Sequence, residues 1–234
     1  MATIMFVHAH PDDEGTLTAG SMIRAAEEGH RVIVVFATHG EHGEVPDDLG
    51  PDETLAQRRM AEAQRAAGLA GVAAVHWLGY RDSGMVGWEQ NRHPHCLLQA
   101  PAEEAAGRLL DLIAQEQPDV LVGYDWHGNY GHPDHVQVHD AAMLAADLAG
   151  IPTRYLATVD REYLHFVESH LVDHAGDAVP SIRPIGSATV EITTTVAIHD
   201  LLDVKQRAIA AHESQIGSDP WLGVPDDFAD VILR

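Results

Sequence analysis

The chain has 234 residues with 36 acidic against 14 basic side chains, a formal net charge of −22, so polyanions such as nucleic acid and anionic membrane surfaces are repelled at long range. An apolar share of 45% supplies ample core, and at this length a single domain over 1–234 is expected. The lone thiol, Cys96, permits no internal disulfide, no apolar run approaches the ~18 residues of a membrane span, and no signal peptide is visible, so a cytoplasmic protein with a small-molecule partner is expected.

From the N-terminus, Thr3-Ile4-Met5-Phe6-Val7 is an unbroken apolar run, the pattern of a strand buried on both faces. Similar runs at 31–37, 74–78 and 119–124 alternate with helical periodicities at about 15–28, 53–67, 102–116 and 133–149. Such alternation, joined by right-handed crossovers, predicts a three-layer Rossmann-like α/β fold around a mostly parallel sheet. Further along, the sequence predicts a strand near 153–159, a helix near 160–168, a strand near 189–196 and a helix near 199–213. Residues 172–188, rich in Gly, Pro and Asp, read as a surface loop or lid. Long polar connections at 38–52, 79–100 and 125–132 follow strand ends, the edge at which open α/β sheets bind ligands.

Three stretches at that edge carry chemistry: His8-Ala9-His10-Pro11-Asp12-Asp13-Glu14, Thr38-His39-Gly40-Glu41-His42-Gly43-Glu44, and Asn129-Tyr130-Gly131-His132-Pro133-Asp134-His135. His10 and Asp13, three apart at a strand-to-helix turn, can converge on one ion. A catalytic zinc takes three N or O ligands and keeps one position open, so the fourth-strand connection is expected to supply the third. His132, His135 and His139 share one helical face there and all qualify. The competing reading is that His-Pro-Asp-Asp-Glu only caps the first helix. A nucleotide site is rejected, because no Gly-x-Gly-x-x-Gly follows the first strand and a carboxylate-rich turn there repels a pyrophosphate.

Ala9–Glu14, Thr38–Glu44, Arg81-Asp82-Ser83-Gly84-Met85 and Tyr130–His135 together resemble the LmbE-like, or PIG-L, zinc deacetylases, with Ala211-His212 and Gln215 as a weaker C-terminal signature. The resemblance implies zinc (ferrous iron accepts the same donors) on His10, Asp13 and His135, with Asp12 as general base and with His132 and Tyr130 facing the scissile amide. It also implies sugar contacts from Arg59 and Asp82. The expected activity is removal of an N-acetyl group from an amino-sugar conjugate of the N-acetylglucosaminyl type. The alternative is cleavage of a larger amide such as a mycothiol-type S-conjugate. A non-catalytic metal- or sugar-binding module is disfavoured by the presence of Asp12, which holding a metal does not require. The chain departs from the family in its short C-terminal part and its Asn91–His95 insert.

Overall fold

A computed structural model of the chain describes residues 1–166 and 185–216. Five strands, β1 (Thr3–His8), β2 (Arg31–Thr38), β3 (Ala74–Tyr80), β4 (Val120–Tyr124) and β5 (Thr153–Ala157), form one wholly parallel sheet in the order β3-β2-β1-β4-β5. The longer helices among the described residues are α1 (Ala19–Glu27), α2 (Leu55–Leu69), α3 (Ala102–Glu116), α4 (Pro133–Ala149) and α5 (Leu202–Ala210), and they flank the sheet. This is the three-layer α/β fold expected.

Alternation along the strands builds two cores. Met5 and Val7 of β1, with Ile33 and Val35 of β2, pack on Leu109 of α3 and on Val138, Ala142 and Ala145 of α4. Phe6, Val32, Val34 and Phe36 point the other way, onto Met22 and Ile23 of α1, Ala63 of α2 and Ala208 of α5. Small residues on the buried face of α4 let it lie close to the sheet. Pro133 at its first turn and Gly150, left-handed at φ 69°, after its end fix the length of this helix.

Strand order reverses between β1, which turns to β2 on one side, and β4 on the other, so the crevice at the carboxyl ends of β1 and β4 is where such sheets bind ligands. Two expectations need adjusting. The helix expected from residue 15 opens as a wider π turn, Glu14–Thr18, before α1 begins. The strand expected near 189–196 is absent: Thr189–Glu191 is a 3-10 turn, and Val190 is 94% exposed. Its β-branched residues favour a strand only beside a ladder partner, and among the described residues this segment has none. The helix near 160 is seen over 161–166, while its end and most of the 172–188 loop lie outside the described residues. No helix among the described residues is long and apolar enough to cross a membrane.

Candidate active site

β1 delivers His10 and Asp13 on the turn that follows it, and the start of α4 delivers His132, Asp134 and His135 to the same crevice. His10 Nδ1 lies 3.3 Å from Asp13 Oδ2, and His135 Nε2 lies 3.2 Å from Asp13 Oδ1. The opposite ring atoms set the tautomers. His10 Nε2 faces Asp134 Oδ2 at 3.1 Å, and His135 Nδ1 faces the Gly128 carbonyl at 3.2 Å; both partners only accept, so both ring nitrogens carry protons. In the neutral rings, His10 Nδ1 and His135 Nε2 therefore present lone pairs toward a carboxylate. His135 is 1% exposed and its Nε2 has no hydrogen-bond partner among the described residues.

With both rings neutral, His10 Nδ1, the Asp13 carboxylate and His135 Nε2 are acceptors facing one another, an arrangement that a cation among them, proton or metal ion, relieves. The donor set of two imidazoles and a carboxylate suits a divalent transition metal. The field around the site says the same. Burial alone would lower the His10 pKa, but Asp82, Asp13 and Asp134 hold it well above the ordinary value. A proton and a metal ion are alternative occupants of His10 Nδ1, so metal affinity weakens as pH is lowered. Against its own burial, Asp13 is held low by His135 and His10.

His132 also lies within reach of an ion shared with His10 and His135. Its role differs because its Nδ1 accepts the Asp134 backbone N–H at 3.1 Å, capping α4. The proton of the neutral ring then sits on Nε2, which leaves no lone pair for a metal. Burial, with His10 and His135 alongside, pushes its pKa down to about 3, so the neutral donor form prevails. His139 binds the Tyr124 carbonyl at 2.8 Å instead.

Asp12 sits at φ 112°, a conformation that side-chain-bearing residues rarely adopt. Arg59 donates to its Oδ2 at 2.9 Å and also to the carbonyls of Pro11 and Gly40. Burial nonetheless pushes the Asp12 carboxyl up to about 6, Arg59 opposing the rise. Tyr130 reaches the site from the turn at Gly128–Gly131, its ring edge-on to His135 at 5.0 Å, and burial raises its phenol. Gly128, at φ 66°, is needed there: a Cβ would come within 2.7 Å of that of His135.

Arg59 and Asp82 lie under the rim, 3% and 5% exposed. Asp82 accepts the N–H groups of Gly84 at 2.7 Å and His42 at 3.1 Å, and its Oδ1 is 3.5 Å from His10 Nε2. The Thr38–Glu44 stretch forms a wall rather than the centre. His39 lies over Trp77, and the backbone of Glu44 is held by Gln215.

Several contributors were not assigned from sequence. Tyr124, at the end of β4, donates to Asp13 Oδ2 at 2.7 Å and stacks on His135 with ring centroids 4.2 Å apart. Asp134, fully buried, receives Ser83 N–H at 2.9 Å and the Ser83 hydroxyl while facing His10. The signal for Asp134 was available, since a metal-binding histidine normally hands its second N–H to a carboxylate. Asp134→Asn is expected to weaken metal affinity by roughly 10–100-fold while leaving the ligands in place. Competition against a chelator of known affinity checks this, and unchanged affinity would remove Asp134 from the site.

The family described as PIG-L, GlcNAc-PI de-N-acetylase, matches residues 5–146. A 1D-myo-inositol 2-acetamido-2-deoxy-alpha-D-glucopyranoside deacetylase of Thermomonospora curvata is 36% identical over 238 residues, spanning 91% of this chain and 80% of its own. The enzyme of the same name from Acidothermus cellulolyticus is 39% identical over 241 residues, spanning 93% and 80%. Among solved structures, N,N'-diacetylchitobiose deacetylase from Pyrococcus horikoshii, complexed with its inhibitor MPG, superimposes with a TM-score of 0.63 at 26% identity, covering 97% of this chain and 72% of the other.

Proposed function

The chain belongs to the PIG-L family of GlcNAc-PI de-N-acetylases and is a metal-dependent deacetylase, and from that premise we propose that it removes the acetyl group of an N-acetylglucosaminyl-inositol conjugate with zinc on His10, Asp13 and His135. The observation that carries the reading is the convergence of His10 Nδ1 and His135 Nε2 on the two oxygens of Asp13, beside Asp12, a carboxylate outside that set of three. When bound, the ion supplies a Lewis acid that polarises the amide carbonyl and acidifies water.

Asp12 takes the proton of the attacking water as its oxygen adds to the acetamide carbon, and the same carboxyl is placed to return a proton to the departing nitrogen. His132 donates from Nε2 to the carbonyl oxygen as negative charge builds there, with the Tyr130 hydroxyl as a second donor. This makes His132 a charge stabiliser rather than the principal acid. The C–N bond then breaks, giving acetate and a free amine.

Arg59 and Asp82 serve substrate recognition chiefly through what they hold, Asp12 for Arg59 and the 38–44 connection for Asp82. Direct contact with sugar hydroxyls falls to the second lone pairs of the Asp82 carboxylate.

The test is to load the protein with zinc and assay free amine and acetate with N-acetylglucosaminyl-inositol, diacetylchitobiose and a mycothiol-type S-conjugate. Turnover of the inositol conjugate at the highest kcat/KM is expected. Preference for the S-conjugate would transfer the assignment to a larger amide.

A further inference from the structure

Asp12 N–H, on the strained backbone at φ 112°, donates to Glu14 Oε2 at 2.9 Å. The other oxygen of Glu14 is bound at 2.6 Å by Nε2 of His212, a residue 198 positions away that follows α5. Both side chains are buried, 2% and 1% exposed, and among the described residues His212 Nδ1 has no hydrogen-bond partner, so the ring's polar contact there is with Glu14. The neighbouring residues fasten the same segment to the walls of the site. Ser214 binds Glu62 of α2 through its N–H at 2.9 Å and its hydroxyl at 2.6 Å, and Gln215 binds the backbone of Glu44 on both sides, at 3.2 and 3.0 Å.

The geometry points to the Glu14–His212 pair as a positioning device for Asp12, through which the segment after α5 sets the direction of the general base. The inference rests on the reading of Asp12 as base. A residue at φ 112° relaxes to an ordinary conformation unless its neighbours over-determine it. Arg59 restrains the Asp12 carboxylate, and Glu14 restrains the peptide that carries it. Removing the second restraint lets the backbone turn and swings the carboxylate off the water it must deprotonate. Neither Glu14 nor His212 touches the reacting atoms, so both are positioning residues.

The experiment compares Glu14→Leu, which deletes the acceptor for Asp12 N–H, with Glu14→Gln, which keeps one, each in the zinc-loaded protein and again in an Asp12→Asn background. Misplacing a catalytic group by about 1 Å costs on the order of 10²-fold. Glu14→Leu is therefore expected to lower kcat by roughly 30–100-fold, with KM within about twofold and metal content unchanged. Glu14→Gln should restore kcat to within about fivefold of the parent. In the Asp12→Asn background, Glu14→Leu should cost nothing more, because the group it positions is already gone. His212→Asn, which withdraws only the far partner, is read in the same way should Glu14→Leu not fold. An equal loss in the presence and absence of the Asp12 carboxylate would overturn the inference, as would an unchanged kcat or an effect confined to KM. An active Asp12→Asn single variant would instead overturn the reading of the base itself.

Discussion

Replacing His135 by alanine is expected to empty the metal site and reduce amide hydrolysis to the uncatalysed background. The Nε2 of His135, the proposed third ligand, has no hydrogen-bond partner among the described residues, so its place is that of a donor to the ion. The fold should survive. The substitution orphans the Gly128 carbonyl and removes a ring stacked on Tyr124, a cost of about 1–3 kcal/mol for the unpaired acceptor. That is small against the ~5–15 kcal/mol by which domains of this kind are stable. Elemental analysis of folded protein is the measurement, with His132→Ala as its control. Because His132 lies within reach of the same ion, the pair of variants decides between the two donor sets. Metal loss from His135→Ala with retention in His132→Ala is expected, and the reverse pattern would exchange their roles.

Asp12→Asn is expected to keep the ion and the fold yet lose about 10²–10⁴-fold in kcat, the usual contribution of a general base. The amide still accepts from Arg59, so the change removes proton affinity with little alteration of shape. The sign of the pH effect follows from the role. A base acts deprotonated, so the activity of the parent enzyme falls as pH drops through the Asp12 pKa, and that acid limb should disappear in the variant along with most of the rate. A variant turning over near the parent rate would mean that water is activated by another group. KM should move little, because Asp12 binds a proton in flight rather than the sugar.

The central strands β1, β2 and β4, the helices through α4 and the candidate crevice are legible in the sequence because strands packed on both faces leave apolar runs and the polar stretches between them stand out, whereas the outer strands β3 and β5 are less buried. The spacing of His10 and Asp13 marks donors at one edge, whereas His135 is singled out from His132 and His139 only by the resemblance to the family. What escaped was whatever depended on contact between distant segments. Glu14 and His212 are 198 residues apart, and neither has a local pattern that announces the other. Asp134 and Ser83 meet across 51 residues, and Tyr124 looks like the last apolar residue of a strand until its hydroxyl is found on Asp13. The false strand near 189–196 has the same origin. Its residues satisfy strand propensity locally, and only the sheet's pairing shows that it has no neighbour among the described residues.

The two cores on opposite faces of the sheet draw their apolar side chains mostly from strands and helices, whereas His10, Asp12, Asp13 and Tyr130 sit on connections at its carboxyl edge and His135 on the first turn of α4. Folding free energy and chemistry therefore draw largely on different residues. A lengthened or rewritten connection, such as the insert at Asn91–His95 beside Ser83, alters the mouth of the crevice with little cost to the hydrophobic interior. Lineages built on this scaffold can accordingly explore new acyl donors and aglycones by drift at the rim while the hydrolytic centre stays under constraint, so that divergence of substrate should outpace divergence of mechanism.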